Sequence, residues 1–180
     1  MLVGFKRAFS AMIFGAFLAA ATALAPIGVG EASAQQQRAH PYDVTQLHPE
    51  VRLAAESARE NYVKANMAAA RARFGGAGTL SFVGSGGDRY DGEGYNGDIR
   101  NGFGVNSWND GEHHGGPYQG QGDHDIRVGT GVYVFVSGRR YEGQFADNDF
   151  SGYGVMWNPD GTVESAGIWR ENQLVTPLSR

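Results

Sequence analysis

The chain has 180 residues, a formal net charge of −4 and no cysteine, which excludes a disulfide framework, a thiolate metal site and a cysteine nucleophile. Between Gly75 and Asn172, six basic and fourteen acidic residues give a net charge of −8. This balance argues against binding to nucleic acid or to an anionic membrane, because both surfaces require clustered lysine and arginine.

The first predicted element is a secretory signal peptide over residues 1–34. Lys6 and Arg7 form its positive start, an uncharged apolar stretch follows, and Ala32-Ser33-Ala34 supplies the small residues that signal peptidase requires. Cleavage near Ala34 predicts a periplasmic or secreted protein of 146 residues. That length has room for one compact domain. An uncleaved membrane anchor is the alternative, because about twenty uncharged residues can span a bilayer.

A polar tail and a helix follow. Residues 35–48 contain Pro41 and show no apolar period, so we expect them to be extended or disordered. Residues 49–74 predict an α-helix that begins at Pro49 and stops before Gly75. Its apolar positions, mostly alanine, fall near one stripe. We expect the helix to cap the sheet that follows, and dimerisation or docking of a partner is the alternative role.

Residues 75–172 contain all the glycines that follow the signal peptide and show an internal repeat. Tyr118-Gln119-Gly120 and Tyr141-Glu142-Gly143 lie 23 residues apart, and each is followed at equal offsets by a Gly-x-Gly pair and a further glycine. A less regular copy begins at Tyr90, and half-units precede and follow the three copies. Each unit predicts a β-hairpin, and successive hairpins predict an elongated, open antiparallel meander. We expect residues 173–180 to form a C-terminal tail.

This pattern resembles the MORN repeat (membrane occupation and recognition nexus), as carried by an exported bacterial protein. The units that begin at Tyr118 and Tyr141 match closely, although Asp125 and Asn148 stand where the repeat usually has a glycine. The resemblance implies a twisted β-meander used for protein–protein contact, dimerisation and scaffolding. The resemblance also raises the question of phospholipid binding, a role that has been proposed for the family. The acidic balance of residues 75–172 disagrees with that role.

In a single-layer sheet only one face can be covered by its own rings, so we expect the remaining rings to form an exposed binding groove. The partner is then a protein or a second copy of the chain. Flat rings beside carboxylates leave cell-wall carbohydrate as the alternative ligand. The candidate partner-binding residues are Tyr90, Trp108, Tyr118, Tyr133, Phe135, Tyr141, Phe145 and Trp157.

The residues that could carry chemistry are few. His113, His114 and His124, near Asp123 and Asp125, are the one cluster with metal-ligand chemistry. Because their spacing is loose, we expect a solvated loop, no metal and no cofactor. No helix follows the Gly-x-Gly pairs to bind a phosphate, and the serines have no recognisable base partner. We therefore predict no catalytic residues, and an enzyme that uses the histidine–aspartate cluster is the minor alternative.

Overall fold

The structure, a computed structural model, describes residues 41–121 and 124–180. The predicted signal peptide and residues 35–40 lie outside these ranges. The described residues form one α-helix and ten β-strands: α1 Pro49–Arg73, β1 Thr79–Val83, β2 Arg89–Tyr95, β3 Ile99–Ser107, β4 His113–Gln121, β5 His124–Arg127, β6 Gly129–Val134, β7 Arg140–Ala146, β8 Asp149–Trp157, β9 Val163–Arg170 and β10 Gln173–Pro177.

All strands belong to one antiparallel sheet. Its order is β1-β2-β3-β4-β6-β7-β8-β9-β10, and β5 pairs with β4 off this path. The two end strands, β1 and β10, do not pair with each other, so the sheet is open. The predicted fold class, a mainly β meander of hairpins preceded by one helix, is confirmed. Within the described residues, no helix has both the length and the apolar character needed to cross a membrane.

The tyrosine of a repeat unit lies over a pair of glycines. Gly143 and Gly154 face each other across β7 and β8, and a methyl group on either would collide with the Tyr141 side chain. The Tyr141 hydroxyl donates to the Gln144 carbonyl at 3.0 Å. Tyr90 makes the same contacts with the glycines of its own unit. The close approach of ring and backbone therefore explains why these positions need glycine.

Helix α1 lies across the strands, over one row of residues that crosses the sheet. Ala65 and Ala69 pack with Val105 of this row, and Ala55 packs with Val155. The helix therefore covers a face of the sheet from β1 to β8 instead of capping one end of it. The row contains Asp91, Val105, Gly115, Val132, Glu142, Val155 and Ala166.

A buried carboxylate fixes the N-terminal half of α1 to this row. Glu142 is fully buried and binds Arg59 of α1 at 2.8 Å and Arg140 of its own strand at 2.6 Å. The indole N–H of Trp157 donates to the same carboxylate at 3.0 Å. Each oxygen of Glu142 therefore has a donor, which offsets the cost of burying its charge.

A second carboxylate fixes the C-terminal end of α1. Asp91 accepts from Arg73 of α1 at 2.9 Å, from Arg89 at 2.8 Å and from the Ser81 hydroxyl at 2.6 Å. Burial acts to raise the pKa of Asp91, but the hydrogen bonds from Arg89, Ser81 and Arg73 outweigh it and lower this pKa. Asp91 is therefore ionised at neutral pH.

The two predicted tails contain regular structure where the chain is described. Val44–Gln46 form a 3-10 turn that Asp43 caps. Leu47 is buried with Val51 and Trp157, so its apolar side chain anchors the segment before α1. At the other end, Gln173–Pro177 form β10 and pair with β9.

Candidate binding groove

The middle repeat unit does not follow the register that the sequence predicts. His114 lies two residues before Gly116, the glycine of β4 that pairs with Gly104. It therefore has the position that Tyr90 and Tyr141 have in the other units, and Tyr118 does not. The His114 ring contacts its own pair of glycines as those tyrosines do. His113 and His114 therefore lie in strand β4 and not in the predicted solvated loop. The glycines of adjacent strands form a row, which contains Gly92, Gly104, Gly116, Gly131, Gly143, Gly154 and Gly167.

His114 is a neutral, buried ring. It is fully buried, its Nδ1 lies 2.8 Å from the Tyr118 hydroxyl, and its Nε2 has no hydrogen-bond partner among the described residues. Burial lowers the pKa of His114 well below its usual value, and the nearby charges of Arg127 and His113 lower it further. Burial likewise raises the pKa of Tyr118. Both side chains are therefore uncharged at neutral pH.

The candidate metal cluster is not assembled in the described residues. Consecutive residues of a strand point to opposite faces, so His113 contacts Tyr62 of α1, at 3.3 Å, while His114 points away from the helix. Asp123 and the side chain of His124 lie outside the described part of the structure. Within that part, no group of three or more histidine, aspartate and glutamate side chains could hold a metal ion.

The face of the sheet opposite α1 has a concave site, which we call the aromatic groove. It has a volume of about 400 Å³. Its aromatic and apolar side chains come from strands β6, β8 and β9 and from the turn after β6. The groove is lined by Arg127, Tyr133, Phe135, Arg139, Phe150, Met156, Trp169 and Asn172.

Phe150 packs against the other aromatic rings in and beneath the aromatic groove. Its ring stacks on Tyr141 with a centroid separation of 3.9 Å, and it contacts Tyr133 at 5.9 Å and Phe135 at 6.1 Å. Phe150 is buried, whereas Tyr133 and Phe135 are half-buried and present ring surface to solvent. Phe150 is not among the residues predicted from the sequence, although its position opposite Phe145 in the hairpin register could have identified it.

Two arginines line the aromatic groove, and they differ in their partners. Arg139 makes two hydrogen bonds with the carboxylate of Glu164, at 2.6 and 2.5 Å. Arg127 donates to the side chain and the carbonyl of Asn148. Asn148 adopts a φ of 75°, a conformation that asparagine tolerates better than most residues. An asparagine can therefore stand where the repeat usually has a glycine, and here it also binds an arginine.

The predicted partner-binding residues fall into three groups. Tyr133 and Phe135 line the aromatic groove, and Trp108 adjoins it, 5.5 Å from Tyr133. Four lie buried on the same face: Tyr90, Tyr118, Tyr141 and Phe145. Of these, Tyr141 and Phe145 belong to the cluster against which Tyr133 and Phe135 pack.

Trp157 is the exception, because it lies on the face covered by α1. Its side chain is 1% exposed and packs with Leu47 and Val51. Strand alternation explains the difference: Met156 points into the aromatic groove, so the next residue must point away from it. Trp157 therefore belongs to the core and is not available to a partner.

Comparison with known families agrees with this architecture. The model of the MORN repeat family matches residues 118–139 and 141–163, which are two adjacent units. MORN repeats are generally modules that bind proteins or membranes, and they are typically non-enzymatic. A non-catalytic binding role is consistent with this match. No curated protein matches the chain.

Proposed function

We propose that the chain is a non-catalytic binding or scaffolding protein whose aromatic groove takes a segment of a protein partner. The observation that carries this proposal is the exposed ring surface of Tyr133 and Phe135 in a concavity of about 400 Å³. Clefts of this size, lined by rings with a few polar groups, are the usual form of a binding site.

Packed side chains in and beneath the aromatic groove favour binding without rearrangement. The rings of Tyr141 and Phe150 stack directly below it, and Trp169 is fixed by a hydrogen bond from its indole N–H to the Gly154 carbonyl at 3.0 Å. Because these side chains are already ordered, a partner loses little free energy in ordering them. The helix occupies the other face, so it does not compete for this site.

We propose that the protein acts outside the cytoplasm, in the periplasm or in the medium, after removal of residues 1–34. The basis is the order of charged, apolar and small residues in that segment. Cell fractionation with N-terminal sequencing tests this location. Recovery of a chain that starts near Gln35 in the periplasm or the medium is the expected result, and an intact chain in the cytoplasm would contradict it.

Affinity capture tests the function. The tagged full chain is incubated with cell-envelope extract beside Phe135→Ala and the matched variant Phe103→Ala, which removes a half-buried ring on the helix-covered face. We expect a specific protein to bind the wild type and Phe103→Ala but not Phe135→Ala. Equal capture by Phe135→Ala would contradict the proposal. If the partner is a second copy of the chain, light scattering should give a larger mass for the wild type than for Phe135→Ala.

Cell-wall carbohydrate is the second candidate ligand. The favouring observation is the adjacency of three half-buried rings, since Tyr133 lies 5.5 Å from Trp108 and 4.9 Å from Phe135. Retention of the chain on isolated cell-wall material, reversed by soluble wall fragments and weakened in Trp108→Ala, would identify this function in place of the first.

A further inference from the structure

We propose that the partner segment is acidic, with one carboxylate side chain bound by Arg127 and an apolar neighbour placed against Tyr133 and Phe135. This inference rests on the proposed function of the aromatic groove and specifies the chemistry of its ligand. The juxtaposition that carries it is a half-buried guanidinium at a concave aromatic surface, without a carboxylate partner in the described part of the chain.

Arg127 differs from most arginines of residues 75–172 in its electrostatic surroundings. None of the nine ion pairs among the described residues includes Arg127. Arg170 also has none, but it is exposed to solvent. The other arginines of this region each bind a carboxylate: Arg89, Arg100, Arg139 and Arg140.

The absence of a partner is informative because carboxylates are abundant in this region. Residues 75–172 contain fourteen acidic and only six basic residues, yet no carboxylate of the described residues lines the aromatic groove. The charge of Arg139 is already compensated by Glu164. Carboxylates at the edge of the aromatic groove have other partners: Glu112 accepts from the Tyr133 hydroxyl and Asp149 from the Asn172 amide. Charged groups removed from water are normally paired, and within the described residues the Arg127 guanidinium still lacks an ion-pair partner. An acidic segment of a partner would supply the missing charge.

The surroundings of Arg127 hold its guanidinium in place for this role. The guanidinium carbon lies 5.3 Å from the ring centroid of Tyr133, and 5.8 Å from those of Trp108 and Phe145. Its Nε and one terminal nitrogen donate to Asn148, and a guanidinium has five N–H donors. The remaining donors suit the two oxygens of a carboxylate, which arginine binds in a planar fork.

The arrangement also limits the ligand to a single acidic residue beside an apolar one. Of the two charged side chains described in the lining, Arg139 is paired with Glu164 and Arg127 has no ion pair. The rings of Tyr133 and Phe135 adjoin Arg127 in the aromatic groove. We therefore expect an aspartate or glutamate next to an aromatic or aliphatic residue, and not a run of acidic residues.

Selection from a library of random peptides tests the inference. The full chain is immobilised, displayed peptides are selected, and the dissociation constants of synthetic copies are measured by fluorescence anisotropy. We expect the selected peptides to share an aspartate or glutamate beside an aromatic or aliphatic residue. Replacing that acid by its amide, or Arg127→Gln in the protein, should weaken binding by about tenfold or more. The matched variant Arg170→Gln, on a solvent-exposed arginine outside the aromatic groove, should bind like the wild type.

The outcomes separate this inference from the function on which it rests. Peptides that lose affinity in Phe135→Ala but lack an acidic residue, and bind Arg127→Gln normally, would overturn the inference and leave the function standing. If no peptide is selected, or if Phe135→Ala binds equally well, both proposals fail. Should Arg127→Gln fold poorly, Arg127→Lys provides the test: it keeps the charge without the planar fork and should show an intermediate affinity. Wild-type affinity in Arg127→Lys would contradict binding of a carboxylate by the fork.

Discussion

Asp91 and Glu142 occupy the same position in two repeat units, and each binds one arginine from α1 and another from two residues earlier on its own strand. In the middle unit the structurally equivalent residue is Gly115, where the ring of Tyr62 lies over the bare backbone. The helix is thus held by ion pairs at Arg59, near its middle, and at Arg73, its last residue, with an aromatic contact between them.

We expect Glu142→Ala to lower the free energy of unfolding by about 3–5 kcal/mol, because it leaves Arg59, Arg140 and the Trp157 indole without their acceptor in a buried site. Urea denaturation measures this change. Glu164→Ala removes a solvent-exposed ion pair with Arg139 and should cost no more than about 1 kcal/mol. Equal losses in the two variants would show that burial of Glu142 is not what makes its ion pairs important.

The stability of the fold should decrease as the pH falls below about 6.5, the usual histidine value. His114 has a lowered pKa in the folded chain, so below pH 6.5 the unfolded chain binds the proton more readily than the folded chain does. Between pH 7.5 and 5.5 the loss from this one group should be at most about 1.4 kcal/mol. Urea denaturation at both pH values should show a smaller difference for His114→Gln than for the wild type. Equal differences for His114→Gln and the wild type would show that His114 does not cause the pH dependence.

Gly154→Ala should destabilise the protein by about 1–3 kcal/mol, because its methyl group would overlap the Tyr141 side chain. Gly86→Ala provides the comparison, since a methyl group there meets no atom closer than 3.8 Å. Thermal unfolding of both variants should show a lower midpoint for Gly154→Ala alone. A wild-type midpoint for Gly154→Ala would mean that ring and backbone are further apart than the structure places them.

Alanine substitutions of two phenylalanines in the aromatic groove should differ in their effects on stability and on binding. Phe150→Ala removes a buried ring that contacts Tyr141 and Phe145 and should cost about 3–5 kcal/mol of stability as well as binding. Phe135→Ala removes a half-buried ring, so it should weaken binding with a much smaller loss of stability. Chemical denaturation and partner capture on the same preparations distinguish the two. Normal binding by a folded Phe150→Ala would argue that the partner does not use this surface.

The repeat pattern predicts the hairpins well, because Tyr141 and its two glycines form a local unit whose spacing reflects strand alternation and turn length. The same pattern misplaces the middle unit. Tyr118-Gln119-Gly120 matches the repeat by residue type, whereas His114 has the structural role of the tyrosine. A histidine in place of a tyrosine cannot be recognised without the pairing of β4 with β3.

The position of the helix depends on contacts that no local pattern contains. The alanine stripe of α1 identifies the side that is buried, including Ala55, Ala65 and Ala69. What this side packs against is decided by long-range pairs such as Arg59 with Glu142, which are 83 residues apart in the chain. Trp157 illustrates the same limit at the level of one side chain, since its face follows from the strand register and not from its aromatic character.

The ion pairs of Arg59 and Arg73 relate the length of α1 to the width of the sheet. Arg59 and Arg73 are fourteen residues apart, a rise of about 21 Å along a helix. Their carboxylates lie on β7 and β2, four strand spacings apart in the sheet order, or about 19 Å. Repeat proteins can change length by gaining or losing whole units. Here one additional hairpin between these strands would widen the sheet by about 10 Å without lengthening the helix, and one of the arginines would lose its carboxylate. The number of hairpins in this protein is therefore tied to the length of a helix that lies outside the repeats.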